Sequence, residues 1–256
     1  MKLLTSNVAY NLDPVLFASD CLNFKADPWQ QKALRWTGQR MILNCCRQSG
    51  KSTVSAILAV HRALFFPGSL ILLISPSLRQ SGELFKKVLE ELDKIPDQPR
   101  RTENNKLSLQ FESKSRIVSL PSTEGTIRGY SGVSLIIEDE SSRVDDALHY
   151  AIRPMLAVSG GRLLLLSTPF GKRGHFFEEW TSGKGWEKIE IPASKCPRIS
   201  KNFLAEEKRA LGDWHYRQEY ECQFMENIDS VFRTDDIEAA ICEDLKPLKI
   251  GGASSE

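Results

Sequence analysis

Residues 45–53 read CCRQSGKST. Gly50-Lys51-Ser52 is the closing part of a phosphate-binding loop of the form G-x-x-x-x-G-K-[ST]. Gly50 allows close backbone approach to a ligand and the turn into a helix. Lys51 supplies a cation for β- and γ-phosphates, and the Ser52 hydroxyl is a ligand for magnesium. The N–H groups that open the following helix favour an anion. Gln48, Ser49 and Thr53 complete the cradle. Cys45 stands where the first glycine of the pattern belongs, which argues against a GTPase-like loop, and Arg47 adds a second cation. A second group of chemical residues closes the apolar run LIIEDES, residues 135–141. A carboxylate at the end of a buried strand can hold magnesium, and its neighbour can polarise a water as a general base. Asp139 is the expected metal acid and Glu140 the expected base, with Glu138 taking the metal role if the register slips by one. Alternation along a strand points adjacent side chains to opposite faces, so neighbouring acids need not share a task.

These loops need elements to hold them. RMILNC (40–45) reads as a buried strand feeding the phosphate loop. KSTVSAILAVHRALFF follows as a helix, with Val54, Ile57, Leu58, His61, Leu64 and Phe65 at helical spacing, and Pro67-Gly68 stops it. SLILLIS (69–75) is a second buried strand, with a helix over about 78–92 after it. KLSLQFES and SRIVSLPS alternate around Ser113-Lys114 as a hairpin. VSLIIEDE (133–140), RLLLLSTP (162–169) and WEKIEIP (186–192) are further strands, and a helix is expected over about 144–158. Continuous apolar strands alternating with helices imply a mostly parallel sheet covered on both faces, with ligands beyond the strands' carboxyl ends. After Pro192 the pattern changes to two helices, about 199–211 and 213–225, then an irregular acidic tail. The expected division is a core over residues 1–195 and a helical lid or linker over 196–256.

Composition bounds the function classes. The 256 residues carry a net charge of +1, so no global basic field recruits nucleic acid and any such contact is local. The densest basic stretch is GKRGH (171–175), followed by Lys184 and Lys188; a phosphate-backbone contact is expected there. The six cysteines form no C-x-x-C pair or zinc pattern, which suits a reducing cytosol. The four histidines, His61, His149, His175 and His215, show no metal spacing. The start lacks a sustained apolar core, so no signal peptide is expected, and Pro67-Gly68 breaks the longest apolar stretch, so no membrane span is expected.

Taken as a set, these motifs resemble the ATPase motor of the large terminase subunit of tailed bacteriophages. The resemblance rests on NCCRQSGKS followed by LIIEDES, on LDPVLFASDCLNFKADPWQQKAL and ISPSLRQS, on STPFGKRGHFFEEW, and on YRQEYECQFMENIDSVF, and spans about 230 residues. In that family the first loop glycine is commonly replaced and Arg-Gln follows, as at Arg47-Gln48. The resemblance implies an α/β fold: an ASCE-type P-loop NTPase with a mostly parallel sheet flanked by helices and a small C-terminal lid subdomain. It implies ATP and Mg²⁺ as ligands, Trp29-Gln30 at the adenine region, and Ser167-Thr168 as a coupling motif that senses the γ-phosphate. It makes Arg128, in the glycine-flanked TIRGYSG, a candidate arginine finger for a neighbouring subunit; Arg47 is the competing candidate within the same chain. The implied partners are double-stranded DNA, the portal protein and procapsid, the small terminase subunit, and other copies of the chain. Those copies are expected to form a ring, a pentamer by resemblance, with a monomer in isolation and no membrane. The implied activity is ATP-driven DNA translocation in the host cytoplasm. The alternatives are a helicase-like remodeller and a nucleotide-gated assembly module that does not hydrolyse. The family's nuclease half is expected to be missing, because Asp235, Asp236, Glu238, Glu243 and Asp244 carry no strand pattern to organise a metal site.

Overall fold

The computed structural model describes residues 8–96, 98–122 and 127–226, with Arg128 given by its backbone alone. The acidic positions of the tail, residues 235–244, lie outside the described residues. Residues through Met225 belong to one compact unit.

Three short helices come first: α1 (Val8–Leu12), α2 (Pro14–Leu22) and α3 (Pro28–Leu34). Asp13 caps α2 by accepting from the Val15 N–H, and Asp27 with Gln30 forms a capping box on α3. Strand β1 (Arg40–Cys45) leads into α4 (Lys51–Phe65), then β2 (Leu70–Ser75) and α5 (Leu78–Asp93). Strands β3 (Arg101–Asn104), β4 (Ser108–Phe111) and β5 (Arg116–Pro121) follow. The remainder is β6 (Leu135–Asp139), α6 (Asp146–Ile152), β7 (Arg162–Ser167), α7 (Gly174–Thr181), β8 (Glu187–Ile191) and α8 (Lys201–Tyr220).

The sheet order is β3-β4-β5-β2-β6-β7-β1-β8. The six strands from β5 to β8 are mutually parallel, and β4 and β3 join antiparallel beside β5. The expected hairpin is therefore β4–β5. Strand β3 was invisible to pattern reading: RTEN has no apolar alternation, and it sits at the sheet edge. The helix expected over 144–158 ends at Ile152 and continues as a 3₁₀ turn, Arg153–Leu156. Pro154 is the cause, because it lacks an N–H and its ring crowds the preceding turn. The two C-terminal helices are the halves of α8, separated by Gly212 at φ 74°.

Alternation sorts the strands between two apolar layers. Met41, Leu43, Ile71, Leu73, Ile137, Leu164 and Leu166 face α4 and α5. Ile42, Leu72, Ile74, Ile136, Leu163 and Leu165 face the other way, with Ile152 of α6 and Phe176 of α7. Helix α4 is buried far beyond one stripe, from Val54 to Phe65 with Arg62 alone half-buried, because α2 and α3 cover its outer side. Fully burying each such aliphatic side chain stabilises by roughly 1.5–3 kcal/mol.

His61 on α4 is buried against the rings of Phe17, Phe65 and Phe66 and donates from Nε2 to the Tyr10 carbonyl at 2.8 Å. Burial lowers its pKa from 6.5 to about 4. Below pH 6.5 the unfolded chain takes up a proton that the folded chain refuses until about pH 4. Stability therefore falls as pH falls through that window, by up to about 3 kcal/mol. His61→Gln keeps a donor for Tyr10 and cannot titrate. Its melting temperature is expected to drop less than the wild type's between about pH 7 and about pH 4.5. Equal drops would remove His61 as the source.

Candidate active site

The carboxyl end of β1 places Cys45 and Cys46 in the core, both fully buried as small apolar residues. Cys46 Sγ lies 3.7 Å from Cys196 Sγ. The loop is anchored from behind: Cys46 N–H donates to the Ile191 carbonyl at 2.9 Å, and Arg47 N–H to the Glu219 carbonyl at 3.0 Å. Gln48 (φ 58°) and Gly50 (φ 92°) turn the chain into α4. Glycine suits position 50 because φ 92° strains any other residue, and a Cβ there would crowd Gln30 Nε2 at 3.0 Å and Arg198 Nη2 at 3.1 Å.

Lys51 opens α4 and its Nζ meets Glu140 Oε1 at 2.8 Å. This contact joins the phosphate loop to the acidic strand end, across the intervening strand β7. Burial lowers the Lys51 pKa, but Glu140 and Asp139 outweigh it and leave the ammonium above its ordinary value. Asp139 ends β6 on the face towards α4 and lines one cavity with Ser52. Burial lifts the Asp139 carboxyl to about 6, against the opposing pull of Lys51. Glu140 leaves the strand in a left-handed conformation, φ 52° and ψ 41°. Ser167, at the end of β7, is buried and donates to Glu140 Oε2 at 3.4 Å. Thr168 is buried beside it, and its carbonyl accepts from Ser142 Oγ at 2.8 Å. The structure thus brings Lys51, Ser52, Asp139, Glu140 and Ser167 together at the strands' carboxyl ends. A cavity of about 340 Å³ opens there, lined by Ser52, Asp139 and Glu140 and walled by Gln80, Glu83, Lys86 and Lys87 of α5. A slightly larger cavity, about 370 Å³ around Trp36, Arg62 and Arg162, lies at the strands' amino ends and contains none of these residues.

The remaining candidates are placed differently. Trp29 and Gln30 are buried in α3 beside the loop, and Trp29 Nε1 and Gln30 Nε2 have no hydrogen-bond partner among the described residues. Ser49 is buried, Gln48 exposed, and Thr53 half-buried on the first turn of α4. The Arg47 guanidinium is exposed and pairs through Nε with Glu219 of α8. The side chain of Arg128 lies outside the described residues; its backbone is in a 3₁₀ turn, Ile127–Gly129. Glu138 points to the opposite sheet face from Asp139, where buried histidines hold it. His175 in the basic stretch is likewise buried, in the first turn of α7.

Sequence reasoning missed Arg198 and Glu219. Arg198 Nη2 donates to the Ser49 carbonyl at 2.7 Å, and its Nη1 pairs with Asp27 at 3.1 Å, bracing the loop against α3. Arg198 sits in no local pattern, Glu219 lies in YRQEYEC with nothing there to single it out, and each meets the loop from well over 100 positions away.

The residues present fit a nucleotide with its metal. Gly50 leaves a cradle that a side chain would crowd, Gln30 Nε2 beside it is a donor with no partner among the described residues, and Ser52 with Asp139 is a hard-oxygen set suited to Mg²⁺.

Comparison with known proteins gives concordant results. The family model described as "Terminase large subunit, T4likevirus-type, N-terminal" matches residues 42–239. The large terminase subunit of Thermus phage G20c is 26% identical over 250 residues, covering 83% of this chain and 51% of that protein. The chain therefore spans about half the length of this relative. The ATPase domain of the Thermus phage P74-26 large terminase superposes with a TM-score of 0.73 at 22% identity, over 81% of this chain and 97% of that one. The large terminase of another thermophilic bacteriophage, solved in complex with ADP, superposes with a TM-score of 0.64 at 13% identity, over 78% of this chain and 54% of that one.

Proposed function

The chain belongs to the large terminase subunit family, T4-like type, as its N-terminal part, and from that premise we propose that it is an ATP-hydrolysing motor domain that drives double-stranded DNA into a procapsid. The observation that carries the reading is the 2.8 Å contact between Lys51 and Glu140, which puts the phosphate-loop cation and the candidate base in one site. Lys51 binds the β- and γ-phosphates of ATP and gives up its contact to Glu140 as it does so. Ser52 and Asp139 would hold Mg²⁺, which neutralises charge on the phosphoryl oxygens. Glu140, released from Lys51, orients the attacking water and takes its proton. Ser167 keeps the Glu140 carboxylate in reach and, with Thr168, reports phosphate loss along β7. Gln30 and Trp29 bound the adenine side behind Gly50. Arg128 from a neighbouring copy, or Arg47 on leaving Glu219, supplies the remaining cation. Portal, procapsid, small terminase subunit and a ring of identical copies are the partners this role requires.

Turnover of Mg-ATP by the purified chain, followed over a concentration series beside binding of a fluorescent ATP analogue, tests the reading. Magnesium-dependent hydrolysis that rises per molecule as copies associate is expected. Tight binding without turnover at every concentration, with or without portal and DNA, would instead identify a nucleotide-gated assembly module.

A further inference from the structure

On the sheet face opposite the nucleotide residues, Glu138, His149 and His175 form a cluster with 0%, 0% and 1% exposure. Their ligand-type atoms lie within 4.8 Å of one another, the composition of a cation site. The ring geometry speaks against an ion shared by both histidines. The two imidazoles are stacked, with centroids 4.0 Å apart and planes 11° from parallel. An imidazole nitrogen binds a metal in the plane of its ring. With the rings stacked, an ion in the plane of one ring lies well out of the plane of the other, so this arrangement does not suit one ion shared by the pair.

The cluster is instead a network of hydrogen bonds converging on one carboxylate. Glu138 Oε1 accepts from Ser141 Oγ and from His175 Nε2, each at 2.6 Å, and Oε2 accepts from His149 Nδ1 at 3.1 Å. These bonds outweigh burial and hold the Glu138 pKa down at about 2. His175 faces a second carboxylate: its Nδ1 donates to Asp146 Oδ1 at 2.8 Å, and its backbone N–H donates to the same oxygen at 2.7 Å. Both ring nitrogens therefore donate, and the imidazolium sits between Glu138 and Asp146. Ser141 directly follows Glu140, and Ser142 donates to the Thr168 carbonyl at 2.8 Å. Glu140 is thus bracketed by residues whose side chains are locked, while its own backbone stands in the left-handed region. A non-glycine residue is strained there, and such a conformation persists only where its surroundings over-determine it.

We propose that His175 is a positioning residue for ATP hydrolysis: from the first turn of α7 it holds Glu138 and Ser141 so that the Glu140 turn keeps its left-handed conformation, and through Asp146 it ties that turn to the start of α6 as well. This rests on the reading of Glu140 as the base. The cluster touches no reacting atom; it acts through Glu140, and it makes strand end and α7 move as one body.

The test compares wild type, His175→Ala, and the apolar triple variant Glu138→Met/His149→Leu/His175→Leu. Removing His175 alone leaves a buried carboxylate short of partners and can unfold the chain, whereas replacing the whole cluster with apolar side chains of similar volume keeps such sites folded. In the folded triple variant, kcat is expected to fall at least roughly tenfold while KM for ATP stays within about twofold. Amide hydrogen exchange is expected to speed up at residues 139–143 and in the first turn of α7. A folded triple variant with wild-type kcat overturns the proposal, as does a proportional loss of nucleotide affinity and turnover, which marks a merely structural cluster. A wild type that binds nucleotide yet never hydrolyses it overturns the base reading. Exchange at 139–143 then decides the positional claim by itself, and an unchanged rate there sinks it.

Discussion

Lys51→Ala is expected to reduce ATP turnover to background and to weaken nucleotide binding at least roughly tenfold. The reason lies in what surrounds the ammonium. Its neighbours at the strand end are carboxylates, Glu140 at 2.8 Å and Asp139, which hold its charge in place. Without Lys51 the triphosphate would approach two acids with no cation of the loop between them. Arg47 does not replace it, because its side chain is 60% exposed and pairs with Glu219 rather than with the acids at the strand end. Arg198 does not either, since its donors go to the Ser49 carbonyl and to Asp27. Turnover is read from phosphate release and binding from a fluorescent analogue. Wild-type turnover in the folded variant would remove this loop as the site.

Glu140→Gln separates binding from chemistry. The amide keeps the size of the side chain and an oxygen for the Ser167 hydroxyl, but it cannot take a proton from water. Hydrolysis is expected to fall roughly 10²-fold or more with nucleotide still bound. Loss of the Lys51 contact works in the same direction for binding: the lysine is freed for phosphate, so affinity is expected to hold or rise. The same variant locates the arginine. Mixed with Arg128→Ala, it provides interfaces with an intact base on one copy and an intact finger on the next. Activity recovered on mixing two inactive proteins places Arg128 in trans. No recovery in a co-assembled mixture moves the role to Arg47. Asp139→Asn that stays active beside an inactive Glu138→Gln would show that the metal acid is one residue earlier than proposed. The geometry speaks against that, because Glu138 faces the histidines on the other side of the sheet.

Several parts of this arrangement were legible before any coordinates. The strands RMILNC and LIIED are continuous aliphatic runs because both faces of a parallel sheet are covered, and such runs announce themselves. Gly-Lys-Ser between a strand and a helix is a local pattern set by the backbone freedom of Gly50 and the charge of Lys51. Parity along β6 sends Asp139 and Glu138 to opposite faces, and that too follows from the two-residue repeat. Helix punctuation was partly legible: Pro67-Gly68 and Gly212 break helices as read, whereas the effect of Pro154 was overlooked. The edge strand β3 carried no signal, because an exposed polar edge needs no apolar alternation.

The amino-acid sequence by itself determined the parallel sheet, the phosphate loop and the acids at a strand end, since each depends on contacts between near neighbours in the chain. Only the tertiary structure decided what holds those acids and that loop. His149 and His175 reach Glu138 from 11 and 37 positions away, and Arg198 and Glu219 reach the loop from 149 and 172 positions away. No spacing rule links such residues. Their meeting depends on β6 lying beside β7, which delivers α7 to the far face, and on α8 folding back past β8 onto the carboxyl end of β1. A histidine or arginine far along the chain reads as an ordinary surface residue until the order of strands brings it to a buried carboxylate or an open carbonyl, because burial and pairing belong to the fold rather than to the residue.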